Sequence, residues 1–338
     1  MSDRVLLTGI SGFLGGHVAL QLLNAGYTVR GSLRNLKRAD KVRDTLARAG
    51  ADISRLEFVA LDLMDDAGWH EAAEGCRYMQ HTASPFVLKI PADKMELIGP
   101  AVQGTTRALH AANAAGAERI VLTSSMAAIA YGHDKARSAP FTDRDWTDLD
   151  GRSVNFYQES KTLAERRAWE IMEQAGRREA LSVINPSGIF GPLLDEDPGT
   201  SAILIQRLLN GSVPALPRIP ITIVDVRDVA AAHVAAMTAP EAGGRRFPMG
   251  ERTLFFKQVA DLLAERYPQK RIPRRQMPDW AVRLYGLFDR DVRGNLGELG
   301  LAKQLDSAGA VALLGRKLTP APEAVLATAE TLLAHKLA

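Results

Sequence analysis

The alternation of short apolar runs with longer amphipathic stretches is the feature of this sequence that most restricts its fold. The apolar runs predict six β-strands, at residues 5–8, 28–33, 56–61, 78–82, 120–124 and 181–185. Helical patterns separate them, near residues 13–25, 37–48, 66–74, 94–115 and 155–175. Strands joined by helices of this length pair in parallel through right-handed crossovers, and the helices cover both faces of the sheet. The pattern therefore predicts an α/β fold with a doubly wound parallel sheet.

The rhythm changes after residue 185, where prolines and glycines become frequent. Helices are predicted near residues 201–210, 227–238 and 321–336, and a strand–helix pair near 246–249 and 257–267. Residues 272–300 are rich in proline and glycine. We expect residues 1–185 to form the core and residues 186–338 a smaller substrate-binding part. Segments near 221–238 are expected to return to the core, so the second part is not an independent domain.

Composition excludes several classes of protein. The single cysteine, Cys76, excludes a disulfide framework and a cysteine-built zinc site, and it favours a reducing compartment. A net charge of +3 over 338 residues is too small to indicate a nucleic-acid partner. No apolar stretch reaches the roughly 18 residues of a membrane span, and glycines interrupt the first apolar run too early for a signal peptide. We expect a cytoplasmic protein with a small-molecule substrate and no metal, membrane or nucleic-acid partner.

A glycine-rich turn follows the first predicted strand and opens the first helix. Its sequence is Thr-Gly-Ile-Ser-Gly-Phe-Leu-Gly, from Thr8 to Gly15. One glycine permits the tight turn, the next lets a pyrophosphate approach the backbone, and the third lets the helix pack close to the strand. Free N–H groups at the helix start then meet the phosphate charge. The turn predicts a Rossmann-like dinucleotide site that includes Gly9, Ser11, Gly12, Phe13, Leu14 and Gly15.

The end of the second strand indicates which dinucleotide is used. Enzymes that use NAD place Asp or Glu about 20 residues past the glycines to bond the ribose 2′-hydroxyl. Here residues 32–35 contain no carboxylate, but they do contain Arg34. Residues 34–48 hold six cations and two anions, a local net charge of +4. A guanidinium binds a phosphate dianion well, so we predict NADP(H), with Arg34 at the 2′-phosphate. Arg43 and Arg48 are expected to be ordinary cations of a solvated helix face.

Two segments carry groups suited to carbonyl chemistry. Tyr157 and Lys161 form a Tyr-x-x-x-Lys pair, which places both side chains on one helix face. A positive charge one turn from a phenol stabilises the phenolate, so such a tyrosine can donate a proton to a developing alkoxide. Ser124 and Ser125 follow the fifth strand, at the sheet edge where ligands of this fold bind. Either hydroxyl could polarise a substrate carbonyl there.

Several further segments, taken in order, resemble one enzyme family. They are Asp62-Leu63, residues 81–85, Ser160–Glu165, Asn185–Pro192 and Val224–Ala230. Together with the turn and the Tyr–Lys pair, they resemble the extended short-chain dehydrogenases/reductases of the NAD-dependent epimerase/dehydratase superfamily. Within that family the resemblance is to the dihydroflavonol reductase and cinnamoyl-CoA reductase-like group.

The resemblance implies residue roles. It assigns Ser125, rather than Ser124, to catalysis with Tyr157 and Lys161, and it adds Lys41 to Arg34 at the 2′-phosphate. The other implied cofactor contacts are Asp62 and Leu63 at the adenine, then Thr82, Ala83 and Ser84, then Tyr157 and Lys161, and finally Pro186, Gly188 and Ile189 at the nicotinamide. Pro85, Phe86, Met126, Phe190 and residues 221–224 are candidates for the substrate pocket.

The implied activity is NADPH-dependent reduction of aldehydes or ketones to alcohols. Cinnamoyl-CoA reductases carry Asn-Trp-Tyr-Cys-Tyr-Gly-Lys around the tyrosine, whereas residues 155–161 read Asn-Phe-Tyr-Gln-Glu-Ser-Lys, which argues against a CoA thioester. A hydroxysteroid dehydrogenase or a nucleotide-sugar epimerase/dehydratase of the same superfamily is the alternative. A non-catalytic NADP-binding regulatory protein is a more distant one. A homodimer is left open by the sequence.

Overall fold

A seven-stranded parallel sheet forms the centre of the protein. The computed structural model describes residues 3–85, 93–151, 154–197, 199–213, 215–288 and 290–338. The strands of this sheet are β1 (Arg4–Thr8), β2 (Thr28–Leu33), β3 (Leu56–Ala60), β4 (Tyr78–His81), β5 (Arg119–Thr123), β6 (Leu181–Pro186) and β9 (Arg245–Met249). Their order is β3-β2-β1-β4-β5-β6-β9, and every neighbouring pair is parallel. The predicted doubly wound α/β fold is confirmed.

Helices cover both faces of this sheet. They include α1 (Phe13–Asn24), α2 (Ala39–Arg48), α3 (Trp69–Ala73), α4 (Met95–Ala114), α5 (Phe156–Gln174) and α7 (Val226–Thr238). Side chains alternate between the faces along a strand. In β1, Val5 and Leu7 pack with α1, α2 and α7, whereas Leu6 packs with α3, α4 and α5. The continuous apolar run of β1 is thus explained by burial on both sides.

A second, three-stranded sheet was not predicted. It consists of β7 (Gly188–Phe190), β8 (Pro220–Asp225) and β10 (Arg252–Phe255), in the order β10-β8-β7. The remaining helices are α6 (Gly199–Leu209), α8 (Phe256–Arg266), α9 (Asp279–Tyr285), α10 (Arg290–Asn295), α11 (Ala308–Leu314) and α12 (Ala321–Ala334). The second sheet shares a hydrophobic cluster with α6, α8 and α12. Residues 221–224, which were candidates for the pocket, are the middle of β8.

Two elements that follow residue 185 belong to the large sheet and its layers. Strand β9 pairs with β6, and α7 packs in the same hydrophobic cluster as α1. Strands β1, β4, β5 and β6 are parallel neighbours in this sheet, so their carboxyl ends lie at the same edge. No helix in the described ranges is both long enough and apolar enough to span a bilayer.

Candidate active site

The glycine-rich turn is shaped by two close backbone approaches. Gly9 has φ +76°, and a Cβ there would lie 2.9 Å from Ala83 Cα. A Cβ on Gly15 would lie 2.1 Å from the Gly9 carbonyl oxygen. Both positions therefore require glycine. A Cβ on Gly12 would meet only the Gly9 oxygen, at 3.3 Å, and Gly12 is exposed at the start of α1. The turn thus offers an open approach to the free N–H groups of a helix, which fits a pyrophosphate.

The segment after β4 is tied to the end of β1. Thr82 Oγ1 donates to the Thr8 carbonyl oxygen at 2.7 Å, and the Ala83 N–H donates to Thr8 Oγ1 at 3.2 Å. His81 Nδ1 lies 2.8 Å from Thr8 Oγ1. Burial, aided by the charge of Lys161, lowers the pKa of His81 to about 3, so its ring is neutral at physiological pH. The sequence assigned no role to His81, although it begins one of the segments that carry the family resemblance, at residues 81–85.

Helix α5 carries the predicted Tyr–Lys pair and begins with a capping box. The Asn155 side chain accepts from the Gln158 N–H at 3.0 Å, and Gln158 Oε1 accepts from the Asn155 N–H at 2.8 Å. This cap fixes the first turn, which contains Tyr157. Tyr157 is 40% exposed, and Lys161 Nζ lies 5.8 Å from the centre of its ring. Lys161 Nζ also donates to Ser84 Oγ at 2.8 Å, so this part of α5 adjoins the segment after β4.

The two serines after β5 have different environments. Ser125 caps a short turn at residues 126–128, and its Oγ accepts from the Ala127 N–H at 3.1 Å. Thr162 of α5 donates to the Ala127 carbonyl oxygen, so this turn packs against α5. Ser124 Oγ instead donates to the buried carboxylate of Glu165. Within the described ranges Ser125 Oγ accepts a hydrogen bond but donates none, so its proton is available to a ligand, whereas Ser124 already donates its proton to Glu165.

A buried ion pair behind these serines was not foreseen. The side chain of Glu165 has no exposed surface, and its carboxylate accepts from Ser124, Asn185 Nδ2 at 2.7 Å, Trp169 Nε1 at 3.3 Å and Arg246 Nε. These donors come from the end of β5, from β6, from α5 itself and from β9. The network therefore fixes α5 against three strands of the sheet. The available signal was a glutamate on the apolar face of a helix, four residues after Lys161.

Arg246 is held on its other side as well. Its Nη1 donates to the carbonyl oxygens of Asp143 and Asp145, and its guanidinium lies 3.9 Å from the centre of the Trp146 ring. The side chain is 7% exposed. The loop that follows β5 is thus attached to the same ion pair.

The cations predicted to bind a 2′-phosphate lie at the end of β2 and on α2. Arg34 is exposed directly after β2. Lys41 Nζ lies 3.6 Å from Asp195 Oδ2, so it already has an acidic neighbour. Arg43 pairs with Asp40 one turn away, as expected for a cation of the helix surface.

The other predicted cofactor contacts lie at the carboxyl edge of the sheet. Asp62 is exposed after β3, with Oδ1 accepting from the Met64 N–H, and Leu63 packs against Gly104 of α4. Pro186 ends β6, and Gly188 and Ile189 belong to β7. Between them, the buried Ser187 Oγ has no hydrogen-bond partner within the described ranges. Buried hydroxyls are normally paired, so this oxygen has capacity for a further hydrogen bond.

The predicted substrate-contacting residues differ in exposure and in surroundings. Pro85 is partly exposed beside Ser84, and Phe86 lies outside the described residues. Met126 is 9% exposed and packs with Ile129 and other apolar residues. Phe190 is fully buried in the cluster of the second sheet. Phe190 is therefore packed in a hydrophobic core, because β7 turns it inward, and its role in substrate binding stays a prediction.

A cavity of about 240 Å³ lies between the loop after β5, at residues 130–141, and residues 297–304. Its polar lining includes His133, Lys135, Glu298 and Lys303. Lys303 Nζ also lies 4.5 Å from the centre of the Tyr131 ring. Burial raises the pKa of Tyr131 above its usual range, with smaller effects from Glu298 and Tyr157. Tyr131 consequently contacts the cavity lining through Lys303.

Comparison with known proteins identifies the family. Residues 5–250 match the model of the NAD dependent epimerase/dehydratase family, which is more than half of the chain. The chain belongs to this family. The matched range begins in β1 and ends just after β9, so it spans the whole central sheet.

Individual relatives show which members of the family this chain is similar to. A cinnamoyl-CoA reductase of Medicago truncatula is 34% identical over 283 residues, covering 82% of this chain and 85% of that protein. A tetraketide alpha-pyrone reductase of Arabidopsis thaliana is 34% identical over 273 residues, covering 79% and 83%. The crystal structure of yeast methylglyoxal/isovaleraldehyde reductase with NADPH has a TM-score of 0.80 at 27% identity and covers 98% of this chain and 99% of that one. The predicted likeness to the dihydroflavonol reductase and cinnamoyl-CoA reductase-like group is confirmed.

Proposed function

We propose that this protein is an NADPH-dependent reductase that converts an aldehyde or ketone to an alcohol. The observation that carries the proposal is the position of Tyr157 and Lys161 on α5, with the ammonium bonded to Ser84 beside the glycine-rich turn. The relatives named above are reductases, and the yeast enzyme was solved with NADPH. A single buried cysteine fits a reducing compartment, and we propose the cytoplasm.

The chemistry of the proposed reaction is a hydride and a proton added across a carbonyl. NADPH, when bound, supplies the hydride that forms the new C–H bond at the carbonyl carbon. Tyr157 donates its phenolic proton to the oxygen as the C–O π bond breaks. The Ser125 hydroxyl donates a hydrogen bond to the same oxygen and keeps its proton. This bond stabilises the negative charge that develops on the oxygen. Lys161 stabilises the phenolate that remains.

Lys161 has N–H donors beyond the one that binds Ser84, and these can serve the proposed reaction. An ammonium group has three N–H donors, and Ser84 accepts one of them. The other two are available to the phenol oxygen and to ribose hydroxyls of the cofactor. Lys161 would then orient the nicotinamide end while Gly9, Gly12 and Gly15 hold the pyrophosphate. The exposed fraction of Tyr157 leaves room for a substrate over its hydroxyl.

The same fold also supports epimerases and dehydratases, which usually hold NAD through a full catalytic cycle. One experiment separates the two functions. The purified protein is denatured and the released nucleotide identified, and the native protein is assayed for NADPH consumption with aromatic aldehydes, α-keto esters, dihydroflavonols and steroids. Consumption of NADPH with at least one carbonyl supports the reductase. Stoichiometric bound NAD without any consumption of NADPH would reject it.

Arg34→Ala should weaken NADPH far more than NADH. A charge-assisted hydrogen bond to the 2′-phosphate is worth about 1.5–3 kcal/mol, which corresponds to about 10- to 100-fold in affinity. The measurement is KM for both cofactors in the wild type and the variant. Arg43→Ala is the matched control, because Arg43 pairs with Asp40 on the helix surface. Equal losses for NADPH and NADH in Arg34→Ala would show that Arg34 is only a surface cation.

Lys161→Ala should damage turnover and cofactor binding together. We expect kcat to fall about 100-fold or more and the Kd of NADPH to rise about tenfold, since Lys161 is proposed to serve both. Lys94→Ala is the control, because Lys94 also contacts α5, through an exposed ion pair with Glu159. Steady-state kinetics and titration of protein fluorescence with NADPH measure the two effects. Unchanged NADPH binding in Lys161→Ala would contradict the assigned double role.

A further inference from the structure

Residues 193–197, here called the strap, lie over the glycine-rich turn. Leu193 N–H donates to Thr331 Oγ1 of α12 at 2.9 Å, which holds the start of the strap. Leu194 Cδ1 lies 3.3 Å from the position of a Cβ on Gly16. A cavity of only about 30 Å³ separates the strap from the turn and α2, which is about the volume of one water molecule. The strap therefore forms one wall of the proposed cofactor site.

The strap presents two carboxylates to cations at the start of α2, namely Arg38 just before the helix and Lys41 in its first turn. Asp195 Oδ2 lies 3.6 Å from Lys41 Nζ, and Asp197 Oδ2 lies 4.0 Å from Arg38 Nη2. Asp195 Oδ1 accepts from the Asp197 N–H at 2.9 Å, which orders the two acids relative to each other. Arg34, by contrast, takes part in no ion pair with any other described residue. The strap thus partly neutralises Lys41 and Arg38 but not Arg34.

We propose that Asp195 and Asp197 determine how strongly the site prefers NADPH over NADH. The inference rests on the proposed use of NADPH. A 2′-phosphate held near Arg34 carries negative charge, and carboxylates on the facing wall repel it. The same carboxylates compete with the phosphate for Lys41 and Arg38. The strap therefore limits 2′-phosphate binding and leaves Arg34 as its main ligand.

This arrangement predicts a specific coupling between Lys41 and Asp195. With Asp195 in place, Lys41→Ala changes 2′-phosphate binding little, because the ammonium is already paired. In an Asp195→Asn background Lys41 becomes free to bind the phosphate, and Lys41→Ala then weakens it. The double-mutant cycle isolates this pairwise effect.

Calorimetric titration with adenosine 2′,5′-bisphosphate and with 5′-AMP tests the inference without any substrate. Asp195→Asn should tighten binding of the bisphosphate about threefold, and Asp195→Asn/Asp197→Asn about tenfold, with 5′-AMP unchanged. Asp261→Asn is the control, since it removes the same charge from an exposed ion pair with Lys257 on α8.

Three results overturn the inference while leaving the proposed NADPH use intact. They are unchanged or weaker bisphosphate binding in Asp195→Asn, an equal gain for 5′-AMP, and the absence of coupling to Lys41. A wild-type protein that binds 5′-AMP as tightly as the bisphosphate would instead reject the proposed preference for NADPH. The two failures are therefore distinguishable in one set of titrations.

Discussion

Tyr157→Phe is expected to lower kcat at least about 100-fold, because it removes the only group proposed to donate the proton. The substitution deletes one hydroxyl from a side chain that is 40% exposed, so the fold should be unaffected. Cofactor binding should change little, since Lys161 keeps its bond to Ser84. Steady-state kinetics with NADPH and an accepted carbonyl, together with the Kd of NADPH, measure both effects.

Tyr27→Phe is the matched control for this variant. Tyr27 packs edge-on against Tyr78, and both belong to the cluster beneath α1 and α2. The Tyr27→Phe variant should therefore keep wild-type turnover. Turnover of Tyr157→Phe close to that of Tyr27→Phe would remove Tyr157 from the mechanism, whatever the activity of the wild type.

Arg246→Met is expected to destabilise the protein by about 3–5 kcal/mol. Removing one partner of a buried ion pair leaves the other charge buried without compensation. Glu165 would keep its bonds from Ser124, Asn185 and Trp169 but lose the cation that pairs with it. Methionine fills a similar volume, so the loss reflects the missing charge and its hydrogen bonds to Glu165, Asp143 and Asp145 rather than a cavity. Urea denaturation followed by circular dichroism gives the free energy of unfolding.

Lys257→Met provides the comparison for Arg246→Met. It breaks an exposed pair with Asp261 on α8 and should cost less than about 1 kcal/mol. The double variant Glu165→Leu/Arg246→Met should recover part of the stability lost in Arg246→Met, because an apolar pair can replace a buried ion pair. A loss in Arg246→Met no larger than in Lys257→Met would contradict the structural role of the network.

The strands of the large sheet could be predicted because local signals agree with the tertiary structure there. Strands β1, β4, β5 and β6 are short runs buried on both faces along most of their length. Strand β2 spans the predicted residues 28–33. The second sheet could not be predicted in this way. Strand β7 has three residues, which is too short for a periodic pattern, and it exists only through pairing with β8, some 30 residues later. The helices α9 and α10 are also short, with seven and six residues, and lie in the segment at 272–300 that is rich in proline and glycine.

The candidate site also combines local motifs, which the sequence reveals, with contacts between distant residues, which it does not. Motifs of fixed local spacing, such as the glycine-rich turn and the Tyr–Lys pair, could be recognised in the sequence, and their roles remain predictions. The ion pair of Glu165 and Arg246 joins residues 81 positions apart, and nothing in the local sequence links them. The contact of Asp195 with Lys41 is equally non-local. Such partners become visible only when the chain is folded.

Transfer of deuterium from the cofactor to a carbonyl substrate is the direct test of the proposed hydride transfer. NADPH labelled with deuterium at C4 of the nicotinamide, on one face or the other, is incubated with the wild type and an accepted aldehyde or ketone. Mass spectrometry of the product then locates the label. The proposed function predicts one deuterium on the former carbonyl carbon from one of the two labelled forms, and negligible product with Tyr157→Phe. Turnover of a carbonyl substrate that leaves all deuterium on the nucleotide with both forms would contradict it.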